Sequence, residues 1–314
     1  MTLHNDIKFF SDTIRATSQY LNINPVFVEK DYWITLVLNR LERSKYVRST
    51  VFKGGTSLSK GYHLISRFSE DVDIAIINKN ESSGNKIKTI IRTVEKEMTD
   101  ELNEIIMEGV TSKGSRYRKS VFEYTSTNPK NKNNKLIVEV NSFANTYPFE
   151  LLTINSMVFD FLFQTNNENY IKQYSLQPFQ LNVLKKEQTL MEKLVSLIRF
   201  SYEENVIESI SKKIRHFYDL YFLMTDIECN NFTNSSRFKK EFNKIFDHDK
   251  ALFDEPSGWQ QKTLDESPLI ADFENIWMLL KDVYITELSA LAYSSIPDEK
   301  KIAECFIGLI NQIK

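Results

Sequence analysis

Two aspartates separated by one residue, Asp71 and Asp73, are the side chains of this sequence best placed to do chemistry. Their apolar neighbours predict a strand, and side chains two residues apart in a strand point to the same face. Two carboxylates on one face repel each other unless a cation lies between them. Mg²⁺ suits such a pair, because it binds one or two carboxylates and completes its octahedron with phosphate oxygens and water. An isolated Asp-x-Asp is more often a solvated strand face, so the preceding residues decide the interpretation.

A pair of adjacent glycines precedes the aspartates. Gly54 and Gly55 end a predicted short strand, and a short helix is predicted from about Thr56. A backbone without Cβ atoms can approach a phosphate closely, and the first N–H groups of a helix are unpaired and partly positive. Gly-Gly alone usually marks a turn. Followed by a helix and Asp-x-Asp, it predicts a nucleoside triphosphate site made by Gly54, Gly55 and Thr56, with Ser57.

A third acid, Glu139, lies in a predicted strand. Residues 115–124 and 135–140 are predicted to form two strands joined by a polar loop, and Glu139 alternates with β-branched residues in the second strand. A carboxylate among such neighbours on a central strand is costly unless it is paired or bound to a metal. An exposed glutamate on an edge strand would show the same alternation.

The same hairpin is rich in basic and aromatic residues. They are Lys113, Arg116, Arg118, Lys119, Lys130, Lys132 and Lys135, interleaved with Tyr117, Phe122 and Tyr124. Such a mixture suits the phosphates and stacked bases of RNA. A solvated loop beside a strand with ordinary edge lysines would show the same pattern. Both interpretations stay open.

Two charged residues lie in predicted helices of the second half of the chain. Lys193 falls at the border of the apolar face of a helix over residues 186–202, where its ammonium group could extend to solvent. Asp219 lies among aromatic residues in a helix predicted over residues 208–224. Arg215 precedes it by four residues, so an intrahelical ion pair of about 0.2–0.5 kcal/mol is one interpretation. A partner such as Lys193, or a group of the substrate, is the other.

Other elements follow from periodicity and turn residues. An amphipathic helix is predicted over residues 86–107. From about residue 146 the composition favours helix, apart from an edge strand over residues 174–184, where Pro178 would interrupt a central strand. The Asn- and Ser-rich residues 230–236 predict a linker.

The start of the chain is predicted to be helical. Asn24-Pro25 marks the beginning of a helix that runs to about Arg43. Glu29, Lys30 and Asp31 fall in its first turns, where capping and balance of the helix dipole explain them. The alternative places Lys30 or Asp31 at the edge of a nucleotide cleft.

Composition excludes several classes of protein. The 314 residues carry a net charge of −2, so any nucleic acid must meet a local basic patch. Cys229, Cys305 and the four histidines lack metal-ligand spacing, and the cysteines form no disulfide framework, which predicts a reducing cytoplasm. No apolar stretch reaches the roughly 18 residues that span a bilayer, so no membrane partner is expected.

The motifs together resemble a known family. The stretches 54–60 and 67–74 are similar to the first motif of the AbiEii-type nucleotidyltransferase toxins of type IV toxin–antitoxin systems, the group that includes the MenT toxins. These are similar in turn to polymerase-beta-like nucleotidyltransferases. Three further stretches agree: Glu29-Lys-Asp-Tyr-Trp33, Thr189-Leu-Met-Glu-Lys-Leu194 and Arg215-His-Phe-Tyr-Asp-Leu-Tyr221.

This resemblance implies a fold, an organisation and a reaction. The expected fold is α+β, a polymerase-beta-like core of mixed sheet flanked by helices, with an α-helical C-terminal region. Residues 1–184 would form the nucleotidyltransferase domain with two N-terminal helices, and residues 185–314 the helical domain. The enzyme would transfer a nucleotide from a nucleoside triphosphate to an RNA, namely to the 3′ end of tRNA. A cognate antitoxin protein would restrain the enzyme.

The resemblance also implies roles for single residues. Asp71, Asp73 and Glu139 would hold two Mg²⁺ ions, although the family has an aspartate more often at the position of Glu139. Lys193 would reach nucleotide phosphate, and Asp219 would hold Lys193 or a substrate group.

Ser69 is a further candidate at the nucleotide site. Its position beside the carboxylates also makes it a possible regulatory residue, because phosphorylation adds about −2 charge.

Rival functions remain open at this point. An enzyme of similar fold could transfer the nucleotide to a protein or a small molecule, or the chain could be a non-catalytic nucleotide- or RNA-binding module. A P-loop enzyme is disfavoured, because residues 54–60 lack the Gly-x-x-x-x-Gly-Lys-Ser/Thr order.

Overall fold

A computed structural model describes residues 2–69, 71–77, 84–128, 130–131 and 134–314. The chain forms two compact units. Met1–His63 and Phe68–Leu184 make up the first, and Leu64–Arg67 and Lys185–Lys314 the second. The predicted division into separate domains at residue 184 stays a prediction. No helix in the described parts of the chain is long and apolar enough to cross a membrane.

The first unit is a mixed β-sheet flanked by helices. Its helices are α1 (Ile7–Leu21), α2 (Pro25–Glu42), α3 (Gly54–Lys60), α4 (Gly84–Met98), α5 (Met157–Gln164) and α6 (Glu168–Gln173). Its strands are β1 (Thr50–Lys53), β2 (Asp71–Ile76), β3 (Asn103–Ile105), β4 (Ser112–Lys113), β5 (Tyr117–Glu123), β6 (Lys135–Asn141), β7 (Phe149–Ile154) and β8 (Phe179–Leu184). The strand order is β3-β5-β6-β2-β1-β8-β7, and β4 pairs with β5. This confirms the predicted fold class.

One face of the sheet carries the core of this unit. Val72 and Ile74 of β2 and Val138 of β6 alternate toward that face and are fully buried in one cluster with apolar residues of α2 and α4. Each such side chain contributes roughly 1.5–3 kcal/mol by leaving water. The intervening residues of the same strands, the acids among them, therefore point to the opposite face.

The predicted start of α2 is confirmed, but capping does not explain the acids of its first turns. The alternative, with Lys30 or Asp31 at the edge of a nucleotide cleft, stays a prediction. The Asn24 side chain accepts the N–H of Val26, and proline follows at the first helical position. Glu29 and Asp31 are buried and bind other segments instead of capping the helix. Glu29 accepts hydrogen bonds from the Ser126 hydroxyl and the Thr127 N–H.

Asp31 joins three segments of the first unit. Its carboxylate binds Lys60 Nζ, at the end of α3, at 2.7 Å and accepts the N–H of Met157, at the start of α5, at 2.7 Å. Lys60 also donates to the carbonyl of Asn155. Both charges are nearly excluded from solvent. The pair therefore holds α3 against α2 and the start of α5.

The second unit is helical. Its helices are α7 (Lys186–Phe200), α8 (Val206–Ser211), α9 (Arg215–Thr225), α10 (Ile227–Thr233), α11 (Phe238–Leu252), α12 (Pro268–Ala271), α13 (Phe273–Leu291) and α14 (Glu299–Ile313). The helix predicted over residues 208–224 is two helices, because i→i−3 bonds such as Lys213 N to Ile210 O replace the helical pattern between them. The predicted linker at residues 230–236 is wrong. Residues 227–233 form α10, because the Asp226 carboxylate caps its first N–H groups and Cys229 is buried.

Three predictions in the first unit are corrected. The helix predicted over residues 86–107 ends at Met98, because Glu101 takes a left-handed conformation with φ 66°, and β3 follows. The composition after residue 146 predicted helix, but residues 149–154 form β7, and β7, not β8, is the edge strand on this side of the sheet. β8 lies between β1 and β7, and Pro178 precedes it without interrupting it.

Replacing Lys60 by methionine would leave the Asp31 carboxylate buried without its cation. We expect Lys60→Met to lower the free energy of unfolding by about 3–5 kcal/mol, because an uncompensated buried charge is costly. Urea unfolding measures the change. Lys300→Met, at an exposed lysine of α14, is the control and should stay within about 0.5 kcal/mol of wild type. Equal stability of the two variants would contradict the structural role of this pair.

Candidate active site

Three acids meet on the open face of the sheet. Strands β2 and β6 are parallel neighbours, with Asp73 directly opposite Glu139 and Asp71 opposite Ile137. Side chains of paired residues project to the same face, so Glu139 points to the same side as both aspartates. The structure thus brings together the three acids that the sequence singles out.

The electrostatics of Asp73 show how close these acids are. Burial, followed by the negative charges of Glu139 and Asp71, raises the pKa of the Asp73 carboxyl from 3.8 to about 8. The positive charges of Lys53 and Lys119 oppose this rise without cancelling it. Three acids thus lie near two lysines, and an added cation would stabilise the ionised form of Asp73.

Glu139 has partners on β5 that the sequence interpretation did not assign to the site. The Tyr117 hydroxyl donates to Glu139 Oε2 at 3.2 Å, and Lys119 Nζ lies 3.8 Å from the same atom. Both residues are on β5, where Lys119 is opposite Glu139 in register. Burial and the charge of Glu139 raise the pKa of the Tyr117 hydroxyl, so it stays a proton donor. Alternation along β5 puts Tyr117 and Lys119 on one face, but only the alignment of the hairpin strands, which the sequence pattern does not give, puts that face beside Glu139.

Gly54 lies directly against Asp73. A Cβ atom on Gly54 would be 2.0 Å from Asp73 Oδ2, and the residue has φ +78°, which favours glycine. The helix α3 begins at Gly54 itself, two residues before its predicted start. Glycine was predicted at this position so that the backbone could approach a phosphate. The structure gives a second reason, because any larger side chain would collide with the carboxylate of Asp73.

The hydroxyls near this glycine are used within the chain. Thr56 Oγ1 donates to the carbonyl of Asp71, and Ser57 Oγ donates to the carbonyl of Gly54 at 2.8 Å. Both side chains are buried, and so is Ser69 in the segment before β2. A phosphate contact from Thr56 or Ser57 would therefore come from the backbone N–H. Gly55, the other predicted phosphate contact, lies in the first turn of α3.

The second unit contains a buried ionic cluster around Asp219. Arg67 donates to both carboxylate oxygens, from Nε at 2.7 Å and from Nη2 at 2.6 Å, and Lys193 Nζ lies 2.7 Å from Oδ2. The predicted pairing of Asp219 with Lys193 is thus present. The intrahelical pairing with Arg215 is wrong, because Asp219 binds Arg67 and Lys193. Arg67 was missed because 152 residues separate it from Asp219 and no local pattern links them.

This cluster carries an excess of positive charge. Burial alone would raise the pKa of Asp219, but Arg67 and Lys193 outweigh it and hold that pKa well below 3.8. Burial and the nearby cations keep the pKa of His216 well below 6.5, so its imidazole is neutral near neutral pH. Two cations thus share one carboxylate, an arrangement that suits a further anion.

Part of the basic hairpin is engaged within the chain, and its role as an RNA surface stays a prediction. Arg118 binds Glu95 of α4, Lys113 binds Glu104 at 2.7 Å, and Lys119 belongs to the acid site. The rings of Phe122 and Tyr124 are buried, so they cannot stack on bases. Arg116 and Lys130 are exposed, Lys135 is only half-buried, and Lys132 lies outside the described residues.

The donor set at the acids fits a hard divalent cation. Strand carboxylates such as those of Asp71 and Asp73 are ligands that Mg²⁺ takes from proteins, with the remaining positions left to phosphate oxygens and water. Among the described residues, no group of three or more His, Cys, Asp or Glu side chains is already arranged to hold a metal ion. The metal site is therefore a prediction that rests on Asp71 and Asp73.

Replacing Gly54 by alanine would force its Cβ against Asp73 and strain a left-handed backbone. We expect Gly54→Ala to destabilise the protein by about 1–3 kcal/mol, measured by urea unfolding. Gly84→Ala is the matched control, because a Cβ there meets nothing within 4 Å, and its effect should stay within about 0.5 kcal/mol. Equal free energies of unfolding for the two variants would show that the close approach of Gly54 to Asp73 does not affect stability.

The raised pKa of Asp73 predicts a pH-dependent stability. Between about pH 4 and pH 8 the folded chain keeps a proton that the unfolded chain has lost, so the stabilisation is complete below pH 4 and is lost as pH rises to 8. Without divalent cations, wild type should lose stability relative to Asp73→Asn as pH rises from about 5 to 8. Urea unfolding in EDTA measures this, with the exposed Asp282→Asn as control. Parallel pH profiles of wild type and Asp73→Asn would contradict it.

Comparison with known proteins identifies the family. Residues 36–288 match the family described as nucleotidyl transferase AbiEii toxin of type IV toxin–antitoxin systems. The solved structure of MenT4, a nucleotidyltransferase toxin from Mycobacterium tuberculosis H37Rv, is similar in fold, with a TM-score of 0.52 over 94% of this chain and 89% of MenT4 at 15% sequence identity. A comparison with curated protein sequences gives no match. Since the family match spans most of the chain, this protein belongs to the AbiEii nucleotidyltransferase toxins of type IV toxin–antitoxin systems.

Proposed function

We propose that this nucleotidyltransferase transfers a nucleotide from a nucleoside triphosphate to an RNA in a metal-dependent reaction. The proposed acceptor is tRNA, which receives the nucleotide at its 3′ end. The observation that carries the proposal is the meeting of Asp71, Asp73 and Glu139 on one sheet face, with the backbone of Gly54 against Asp73. The oxygen of the acceptor hydroxyl would bond to the α-phosphorus. The bond between the α- and β-phosphates would break, and pyrophosphate would leave.

The acids divide this work between them. Asp71 and Asp73 would hold two Mg²⁺ ions. Such ions, when bound, stabilise the attacking and leaving oxygens. Glu139 would complete that site or accept the proton of the acceptor hydroxyl at a carboxylate oxygen. Its bond from Tyr117 and the nearby Lys119 fix the direction of its carboxylate, which favours an aligned proton transfer.

The remaining candidates would handle the triphosphate. Gly54 and Gly55 let the backbone approach a phosphate, with the N–H groups of Thr56 and Ser57 beside them. Lys193 is proposed to contact phosphate as a point charge, and Asp219 to hold its ammonium group in place. Ser69 is proposed as a regulatory position, since an added phosphate would repel the carboxylates that follow it.

RNA as the acceptor rests mainly on the family, because Lys113, Arg118 and Lys119 of the basic hairpin are already engaged in ion pairs. Membership in a type IV toxin–antitoxin family supports a cognate antitoxin as partner and a nucleotide as substrate. Transfer to the 3′ end of tRNA would stop charging of the tRNA, which accounts for toxicity. A protein or small-molecule acceptor is the competing possibility.

Labelling separates these possibilities. Purified protein is incubated with each α-labelled nucleoside triphosphate and Mg²⁺, with either total RNA or total protein as acceptor. We expect label in RNA of tRNA size, at the 3′ end, and none in the presence of EDTA. Asp71→Asn and Asp73→Asn should each lower the rate by about 10³-fold or more, because several kcal/mol of transition-state stabilisation is lost.

The control variant is Asp282→Asn, which removes an exposed carboxylate of α13 and should label RNA at the wild-type rate. Label in the protein pool would refute RNA as the acceptor. Undiminished labelling by Asp71→Asn would refute the catalytic role of the acids. Toxicity that survives Asp71→Asn would indicate a binding function instead of an enzymatic one.

A further inference from the structure

Helices α2 and α4 form a groove that the proposed chemistry does not use. The groove is an open cavity of about 660 Å³, lined by Arg40, Arg43, Ser44, Arg92, Thr93, Lys96, Glu97 and Asp100. We call it the α2–α4 groove. Both helices bury their apolar sides in the core on one face of the sheet, whereas Asp71, Asp73 and Glu139 project from the other. The groove and the carboxylates therefore lie on opposite sides of the sheet of the first unit.

Exposed positive charge dominates this groove. Arg43, Arg92 and Lys96 are exposed. Of the acids nearby, Glu97 accepts a hydrogen bond from the Ser44 hydroxyl, and Glu101 binds Arg40 at 2.7 Å. Asp100 is exposed, and it is its backbone carbonyl that accepts a hydrogen bond from Arg40. The guanidinium and ammonium groups of the three exposed residues are thus available to a ligand in solvent.

The spacing of charges along α4 is unfavourable for the helix itself. Lys88, Arg92 and Lys96 follow one another at four-residue intervals and share one side. Like charges at this spacing cost an isolated helix about 0.2–0.5 kcal/mol per pair. Glu95 does not offset them, because its carboxylate binds Arg118 and Ser120 of β5. A bound polyanion would remove this repulsion.

The charge of the groove contrasts with that of the chain. The whole protein has a net charge of −2, so non-specific attraction of nucleic acid to its surface is weak and binding must use a local patch. At the β5–β6 hairpin, Lys113, Arg118 and Lys119 are already engaged in ion pairs. The α2–α4 groove is a concave basic surface that remains open to solvent.

We propose that the α2–α4 groove binds the phosphate backbone of the RNA acceptor, at a distance from the nucleotide that receives the transfer. The inference rests on the proposed function and adds a second contact to it. A helix layer about 10–12 Å thick separates the groove from the sheet, so a ligand that touches both the groove and the carboxylates must be a macromolecule.

Binding is tested without transfer, in protein carrying Asp71→Asn. Arg92→Gln/Lys96→Gln removes two charges of the groove, and Lys300→Gln/Lys301→Gln removes two exposed charges of α14 as the matched control. The Kd for labelled total tRNA is measured between 50 and 200 mM salt. We expect the groove variant to bind about 10-fold more weakly, with a slope of log K against log salt reduced by about 1–2, because each lost phosphate contact removes about 0.7–0.9. The control should match the parent in both.

A second measurement uses active protein. The groove variant should raise KM for tRNA several-fold and leave KM for the triphosphate unchanged. Transfer to a three-nucleotide RNA, which is too short to reach the groove, should proceed at the rate of the parent.

Two results would overturn the inference. One is unchanged affinity and salt slope in the groove variant. The other is a groove variant that binds tRNA as its parent does but no longer binds vesicles of acidic phospholipid. That result would make a membrane surface the partner of the groove. Failure of the proposed function is a separate outcome. Groove-dependent binding of tRNA, with no label transferred to any RNA by active protein, would refute the reaction and leave the binding surface established.

Discussion

Repulsion among three carboxylates is the constraint on which the first unit depends. Asp71, Asp73 and Glu139 project from adjacent parallel strands to one face, and burial beside the other acids raises the pKa of Asp73. A sheet tolerates such a concentration of charge only if its other contacts are strong. The opposite face supplies them, because the alternate residues of the same strands are fully buried. A chain that places these charges side by side gains the capacity to bind a cation between them.

The surroundings of the acids are fixed by buried polar contacts as well as by packing. Thr56 ties α3 to the carbonyl of Asp71, and the Asp31–Lys60 pair holds the far end of the same helix. The short helix that begins against Asp73 is thus anchored at both ends. A buried ion pair seldom adds much stability over apolar packing. It does fix direction, which matters for a backbone that must pass within contact distance of a carboxylate.

Local patterns predicted the elements that carry the acids, and long-range contacts decided the rest. Alternation was enough to predict β2, β5 and β6, because one face of each strand is apolar. It could not show that Tyr117 belongs to the acid site, since that depends on how the hairpin strands are aligned. The Asn-rich residues 230–233 looked like a loop, but a cap from Asp226 and a buried Cys229 make them helical. Of the two cations that bind Asp219, Lys193 was predicted, but Arg67 was not, because it lies 152 residues away and no local pattern links the two.

The position of Arg67 has a consequence for how the chain assembles. The four residues 64–67 belong to the second unit although the segments on both sides of them belong to the first. During synthesis, Arg67 leaves the ribosome long before Asp219, so the bidentate contact closes only when α9 has been made. A fragment consisting of residues 185–314 would contain Asp219 and Lys193 but not the guanidinium group that binds both oxygens. The helical unit therefore depends on a tetrapeptide from the N-terminal part of the chain. A fragment that begins at residue 185 would lack one of the buried cations of its own interior.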